Sequence, residues 1–200
     1  VEHMGSARES FDLSASLRFW DRPQDVTCML NELIQEPFFQ KALDLNKIGF
    51  IGYSLGGMTG LALGGAKAEN VRSIAPKIYQ ELQVPSPNPE VLDQFDFSDA
   101  ELSYAEPRIR CFLLLCPATH VYSSNALSQI KAPVGLIAAI GDDVLPFQEH
   151  AFRLIRYVLP KKLKIVRKEI SHYAFLNRLS AFGKKVLHKG YVTEHPCCIR

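Results

Sequence analysis

The chain has 200 residues, 47% of them apolar and 22% charged, with a net charge of +2. That suits one packed domain, is too short for two ordinary ones and argues against disorder. So small a net charge gives no basis for nucleic acid or an acidic membrane surface as partner.

No stretch reaches the roughly 18 apolar residues of a membrane span. The opening, VEHMGSARES, lacks the apolar core of a secretory leader. Five cysteines, Cys28, Cys111, Cys116, Cys197 and Cys198, show neither zinc-ligand spacing nor an even framework. The first three lie in apolar runs, where a free thiol behaves as a small core residue. This points to a reducing compartment, the cytoplasm. No metal or organic cofactor is implied.

Residues 23–43 read as a helix, because Val26, Met29, Leu30 and Leu33 recur at helical spacing after Pro23. The apolar run 47–53 follows and ends in a turn. Small apolar residues from 55 to 67 suit a buried helix packed closely on a sheet. Residues 69–107 carry Pro76, Pro85, Pro87, Pro89 and Pro107 and read as a mostly irregular surface excursion, with 70–107 as a lid-like insertion. Apolar runs resume at 109–115 and 134–140. A more alternating run at 163–170 suits a sheet edge, and 147–159 reads as the helix before it. Continuous apolar strands alternating with helices specify an α/β, doubly wound, mostly parallel sheet with helices on both faces. The basic residues Lys161, Lys162, Lys164, Arg167, Lys168, Lys184 and Lys185 read as a solvated face.

Gly52-Tyr-Ser-Leu-Gly56 fits G-x-S-x-G, a strand-to-helix turn that pushes the Ser54 hydroxyl out of the sheet at a helix N-terminus. Glycines two residues either side are expected where a Cβ would collide with the neighbouring strand and helix. A hydroxyl needs a base to take its proton, and the base needs an orienting acid. Chain order in this arrangement is serine, acid, histidine. Asp142 and Asp143 follow the run 134–140, and His172 follows the last run. Both places are C-terminal strand ends, where sites of open α/β sheets lie. Asp142 has the spacing to Pro146 usual for such a loop, with Asp143 as the alternative acid. Of the other histidines, His3 and His120 precede the acid, His150 falls in a helix, and His188 and His195 lie in the tail.

Four segments together resemble the predicted dienelactone hydrolase family of α/β-hydrolases, related to the platelet-activating-factor acetylhydrolases. They are Trp20-Asp-Arg-Pro-Gln-Asp-Val26, Leu45 through Gly57, Gly141-Asp-Asp-Val-Leu-Pro146 and Ser171-His-Tyr-Ala-Phe-Leu176. His3-Met-Gly-Ser6 is similar to a His-Pro-Gly-Ser loop of that family, with Met4 in place of the proline. The resemblance implies hydrolysis of a small ester or lactone through an acyl-serine. Ser54 is then the nucleophile, His172 the base and Asp142 the acid, with the N–H of Leu55 an oxyanion donor. A serine in place of the cysteine of dienelactone hydrolase proper departs from that enzyme's substrate chemistry. Tyr53, Phe95 and Phe97, with Tyr104, are candidate substrate contacts, the last three because 70–107 is expected to roof the pocket.

The same resemblance implies strands ahead of Val1 and a second oxyanion donor among them, and a closing helix near Pro196–Arg200. A chain shortened in this way leaves the elbow strand at an open sheet edge, which invites self-association. Two outcomes follow: an active serine esterase, or an impaired remnant that serves as an interaction module. A peptidase or acyltransferase would share the triad.

Overall fold

A computed structural model describes residues 3, 17–81, 89–158 and 163–175. Met4 to Ser6, Lys161, Lys162, Lys184, Lys185, His188, His195, Cys197 and Cys198 lie outside the described residues.

Four strands form one parallel sheet whose spatial order is the chain order: β1 (Ile48–Tyr53), β2 (Ile109–Leu115), β3 (Val134–Ala139) and β4 (Leu163–Lys168). Parallel neighbours cannot be joined by tight hairpins, so each connection is a crossover. The first carries α3 (Leu55–Leu63), α4 (Val71–Glu81), α5 (Pro89–Gln94) and a 3-10 turn (Ser98–Glu101). The second carries α6 (Ser124–Ser128) and the third α7 (Ala151–Tyr157). Ahead of β1 stand α1 (Asp21–Gln35) and α2 (Pro37–Gln40). The chain is an α/β domain, a parallel sheet flanked by helices. No helix among the described residues is long and apolar enough to cross a membrane.

The strands fall where the apolar runs predict them, and among the described residues the alternating run is the edge strand β4. Among the same residues the opposite edge is β1, the strand that leads into Ser54. Phe112 and Leu114 of β2 and Val134 and Leu136 of β3 are buried in the core with Met58, Leu61 and Leu63 of α3. Residues alternate across a strand, so Ile51, Leu113, Gly135 and Ile137 stand on the other face. That face is less covered among the described residues: Ile51 is 73% exposed, and Leu113 and Ile137 are half-buried.

Several local expectations need correction. The first helix stops at Gln35 instead of 43, because Glu36 turns extended (ψ 120°) ahead of Pro37, and α2 restarts from that proline. The segment 69–107 is more helical than its prolines suggest: α4 runs through Pro76, and Pro89 leads α5. Cys28 and Cys111 are exposed, leaving Cys116 as the buried one of the three. Cys28 lies off the α1 stripe of Pro23, Val26 and Leu30, and Cys111 pairs with Gly49 on the less covered face.

Candidate active site

β1 ends at Tyr53 and α3 begins at Leu55, which leaves Ser54 alone to make the turn. Its backbone stands at φ 54°, ψ −115°, a conformation costly for a residue with a Cβ. Hydrogen bonds hold it there. Ser54 N–H donates to the Leu115 carbonyl at 2.9 Å, and Ala118 N–H donates to the Ser54 carbonyl at 3.2 Å. The tight turn needs glycine at Gly52, where a Cβ would sit 2.2 Å from the Gly56 carbonyl oxygen. The expectation for Gly56 itself is corrected, because a Cβ there meets nothing within 4 Å. The close approach is one residue later, where a Gly57 Cβ would lie 2.6 Å from Pro117.

Two later strands deliver the partners of the serine. The loop after β3 carries Asp142, and the turn after β4 (a 3-10 turn, His172–Phe175) carries His172. His172 Nε2 lies 3.0 Å from Ser54 Oγ, and His172 Nδ1 lies 2.7 Å from Asp142 Oδ2. Asp142 Oδ1 accepts from the N–H groups of Val144 (3.0 Å) and Leu145 (2.7 Å), which fixes the carboxylate in its plane. Both His172 and Asp142 are buried, whereas Asp143 is exposed. A carboxylate only accepts, so the proton on this imidazole sits on Nδ1 and Nε2 is left to accept from the serine hydroxyl. Chemically, the arrangement can draw a proton from Ser54 and hold the resulting imidazolium against a buried negative charge. Leu55 opens α3, and the first N–H groups of a helix have no partner inside it.

Tyr53 braces the histidine. Its hydroxyl donates to the His172 carbonyl at 3.0 Å, and its ring lies 5.0 Å from the imidazole and 5.9 Å from Phe175. Burial holds the Tyr53 hydroxyl well above its ordinary range, so it stays a donor. Phe95 and Phe97 pack elsewhere: each ring centroid is 5.9 Å from Trp20, and the two are 5.1 Å apart. Tyr104 donates to the Asp99 carbonyl at 2.7 Å. Among the other histidines, His3 pairs with Asp25 at 2.7 Å. His150 accepts from Thr119 N–H at 3.1 Å, and its ring packs edge-on against His120.

Cys116, read from sequence only as a core residue, belongs to this neighbourhood. It follows β2 directly, at φ 42°, and its thiol lies beside the Asp142 carboxylate. Burial first, and that carboxylate as well, push the thiol up to about 12. The signal was present in the sequence, since Cys116 occupies a C-terminal strand end like Asp142 and His172.

No family model matches the sequence, and no curated protein matches it. Solved structures do. One, a 2,6-dihydroxy-pseudo-oxynicotine hydrolase, is 19% identical with a TM-score of 0.41 over 76% of this chain. Another, a hydrolase from Pseudomonas aeruginosa PA01, is 18% identical with a TM-score of 0.42 over 83% of this chain and 69% of its own. The chain spans 41% of the length of the first of these.

Proposed function

We propose that the chain is a serine hydrolase acting on a carboxylic ester or lactone, with Ser54 as nucleophile, His172 as base and Asp142 as acid. The observation that carries this reading is the continuous relay from Ser54 Oγ through His172 to Asp142, mounted on a strained turn at a helix N-terminus. In the proposed reaction Ser54 Oγ attacks the carbonyl carbon while its proton passes to Nε2. The tetrahedral oxyanion is met by the N–H of Leu55 and the positive end of α3. Collapse expels the alcohol, which takes the proton from Nε2 and leaves an acyl-serine. Water then repeats the sequence, giving its proton to Nε2. The second collapse returns a proton to Ser54 and releases the acid.

The choice of ester or lactone rests on the resemblance of the four sequence segments to the predicted dienelactone hydrolases. We assign acyl preference to segment 70–107, with Phe95 and Phe97 acting through the Trp20 cluster that seats it and Tyr53 acting beside His172. Among the described residues β1 has β2 as its one strand neighbour, which favours a second reading in which the same domain pairs with another chain through that strand.

A fluorophosphonate probe tests the first reading. The 200-residue chain takes up one label, Ser54→Ala takes up none, and His172→Ala reacts about 10²–10⁴-fold more slowly, the usual contribution of a general base. A folded, soluble wild-type chain that stays unlabelled would overturn it.

A further inference from the structure

Three unlike donor atoms converge behind the serine. Cys116 Sγ, an Asp142 carboxylate oxygen and a His172 ring nitrogen all lie within 4.8 Å of one another, and all three residues are buried. They come from the ends of β2, β3 and β4, so no spacing in the sequence reveals them as a set. We propose that Cys116, Asp142 and His172 form a binding site for a thiophilic divalent cation of the zinc or cadmium type, whose occupancy switches the serine off.

The donor chemistry fits such an ion. Thiolate, imidazole and carboxylate are the three ligand types zinc takes, and three protein ligands leave a fourth position for water. Bonds of about 2.0–2.3 Å place tetrahedral ligand atoms roughly 3.5 Å apart. The present cluster therefore needs adjustments on the order of 1 Å, an opening of the 2.7 Å contact between Nδ1 and Oδ2 and a closing of separations that reach up to 4.8 Å. Asp142 Oδ1 is already held by two backbone N–H groups, which leaves Oδ2 as the metal ligand. Charge favours the exchange as well. Binding releases the thiol proton to solvent, and the dication is then balanced by one thiolate and one carboxylate. A buried site that sums to zero offsets the cost of opening the Asp142–His172 contact, while the two backbone N–H groups stay on Oδ1.

Inactivation follows from the tautomer, and this part rests on the hydrolase reading. Nδ1 is the nitrogen on the Asp142 side, so the metal takes its lone pair and the ring proton moves to Nε2. An Nε2 that carries a proton cannot accept one from Ser54. Because the donors are buried, onset is slow and is reversed by a chelator.

The test uses the full chain with Cys28, Cys111, Cys197 and Cys198 changed to Ser, which leaves Cys116 as the one thiol. Titration with Cd²⁺ is followed by the thiolate-to-metal charge-transfer band, a readout that needs no catalysis. The expected result is a band saturating at one equivalent, with affinity at least tenfold weaker in Asp142→Asn and the band absent in Cys116→Ser and Cys116→Ala, their folding checked by Trp20 emission. Fluorophosphonate labelling falls as the band grows and returns with a chelator. Absence of the band in the parent, or a band whose affinity ignores Asp142→Asn, would overturn the site. A normal band in a chain that never labels would keep the site and reject the hydrolase.

Discussion

At the scale of single residues, the elbow separates two glycines that look alike in sequence. A Cβ at Gly57 would lie 2.6 Å from the side chain of Pro117 and 2.8 Å from its backbone, whereas one at Gly56 would face open space. Gly57→Ala is expected to cost about 1–3 kcal/mol through overpacking. Gly56→Ala is expected to be neutral or to stabilise by up to about 1 kcal/mol, since alanine is the better helix former. Urea denaturation of the two variants checks the contrast. His120 supplies a second prediction. Burial, with Arg153 and Lys77 nearby, pushes its imidazole down from 6.5 to about 4. Above pH 6.5 the ring is neutral in both folded and unfolded chains and contributes no pH dependence. As pH falls from 6.5 towards 4 the unfolded chain takes up the proton first, so the folded state loses stability, on the order of 3 kcal/mol in total. Unfolding midpoints at pH 7 and pH 4.5 should therefore differ less in His120→Gln than in the wild type.

At the scale of elements, legibility tracked how local the signal is. The strands β2 and β3 are continuous apolar runs and read directly, and β4 announces its edge by alternating. The helix α4 did not, because Pro76 and the prolines beyond it outweigh the weaker periodicity of Val71, Ile74 and Ala75. That Ser54, Asp142 and His172 meet in space was legible from motif and order, and that Asp142 and not Asp143 faces the histidine from the spacing to Pro146. Which side chain stands behind Asp142 was not, since that depends on the register of three strands. The link between β1 and the turn holding His172 is another such contact, made by Tyr53. Tyr53→Phe keeps the ring against the imidazole and removes the hydrogen bond to the His172 carbonyl, a loss of about 1 kcal/mol. We expect the probe reaction to slow several-fold, and Tyr53→Ala, which loses the ring too, to slow it further. Equal rates in all three proteins would show that the turn holds itself.

At the scale of the whole molecule, the described residues leave the sheet with one well-packed face and one edge with little to deter a partner. β1 reads Ile-Gly-Phe-Ile-Gly-Tyr, without charge or proline, and Ile51 stands out from it. Natural edges are usually blunted by charge, proline or bulges. Ile51→Lys should lower the weight-average mass in light scattering at high protein concentration and leave the melting temperature nearly unchanged. An unchanged mass distribution would mean that the edge is not where the chain associates.

The coincidence of spatial and chain order in the sheet has a kinetic side. Each new strand docks on the one made just before it, so the sheet can grow from β1 towards β4 without rearranging what is already in place. The Ser54–His172 contact spans 118 residues, and closing so long a loop is entropically slow unless the intervening strands have already drawn its ends together. Among the described residues the contact of Ser54 with His172 and Asp142 is thus expected to assemble late and, if β4 frays, to be given up early, while the cluster around Trp20 can remain packed.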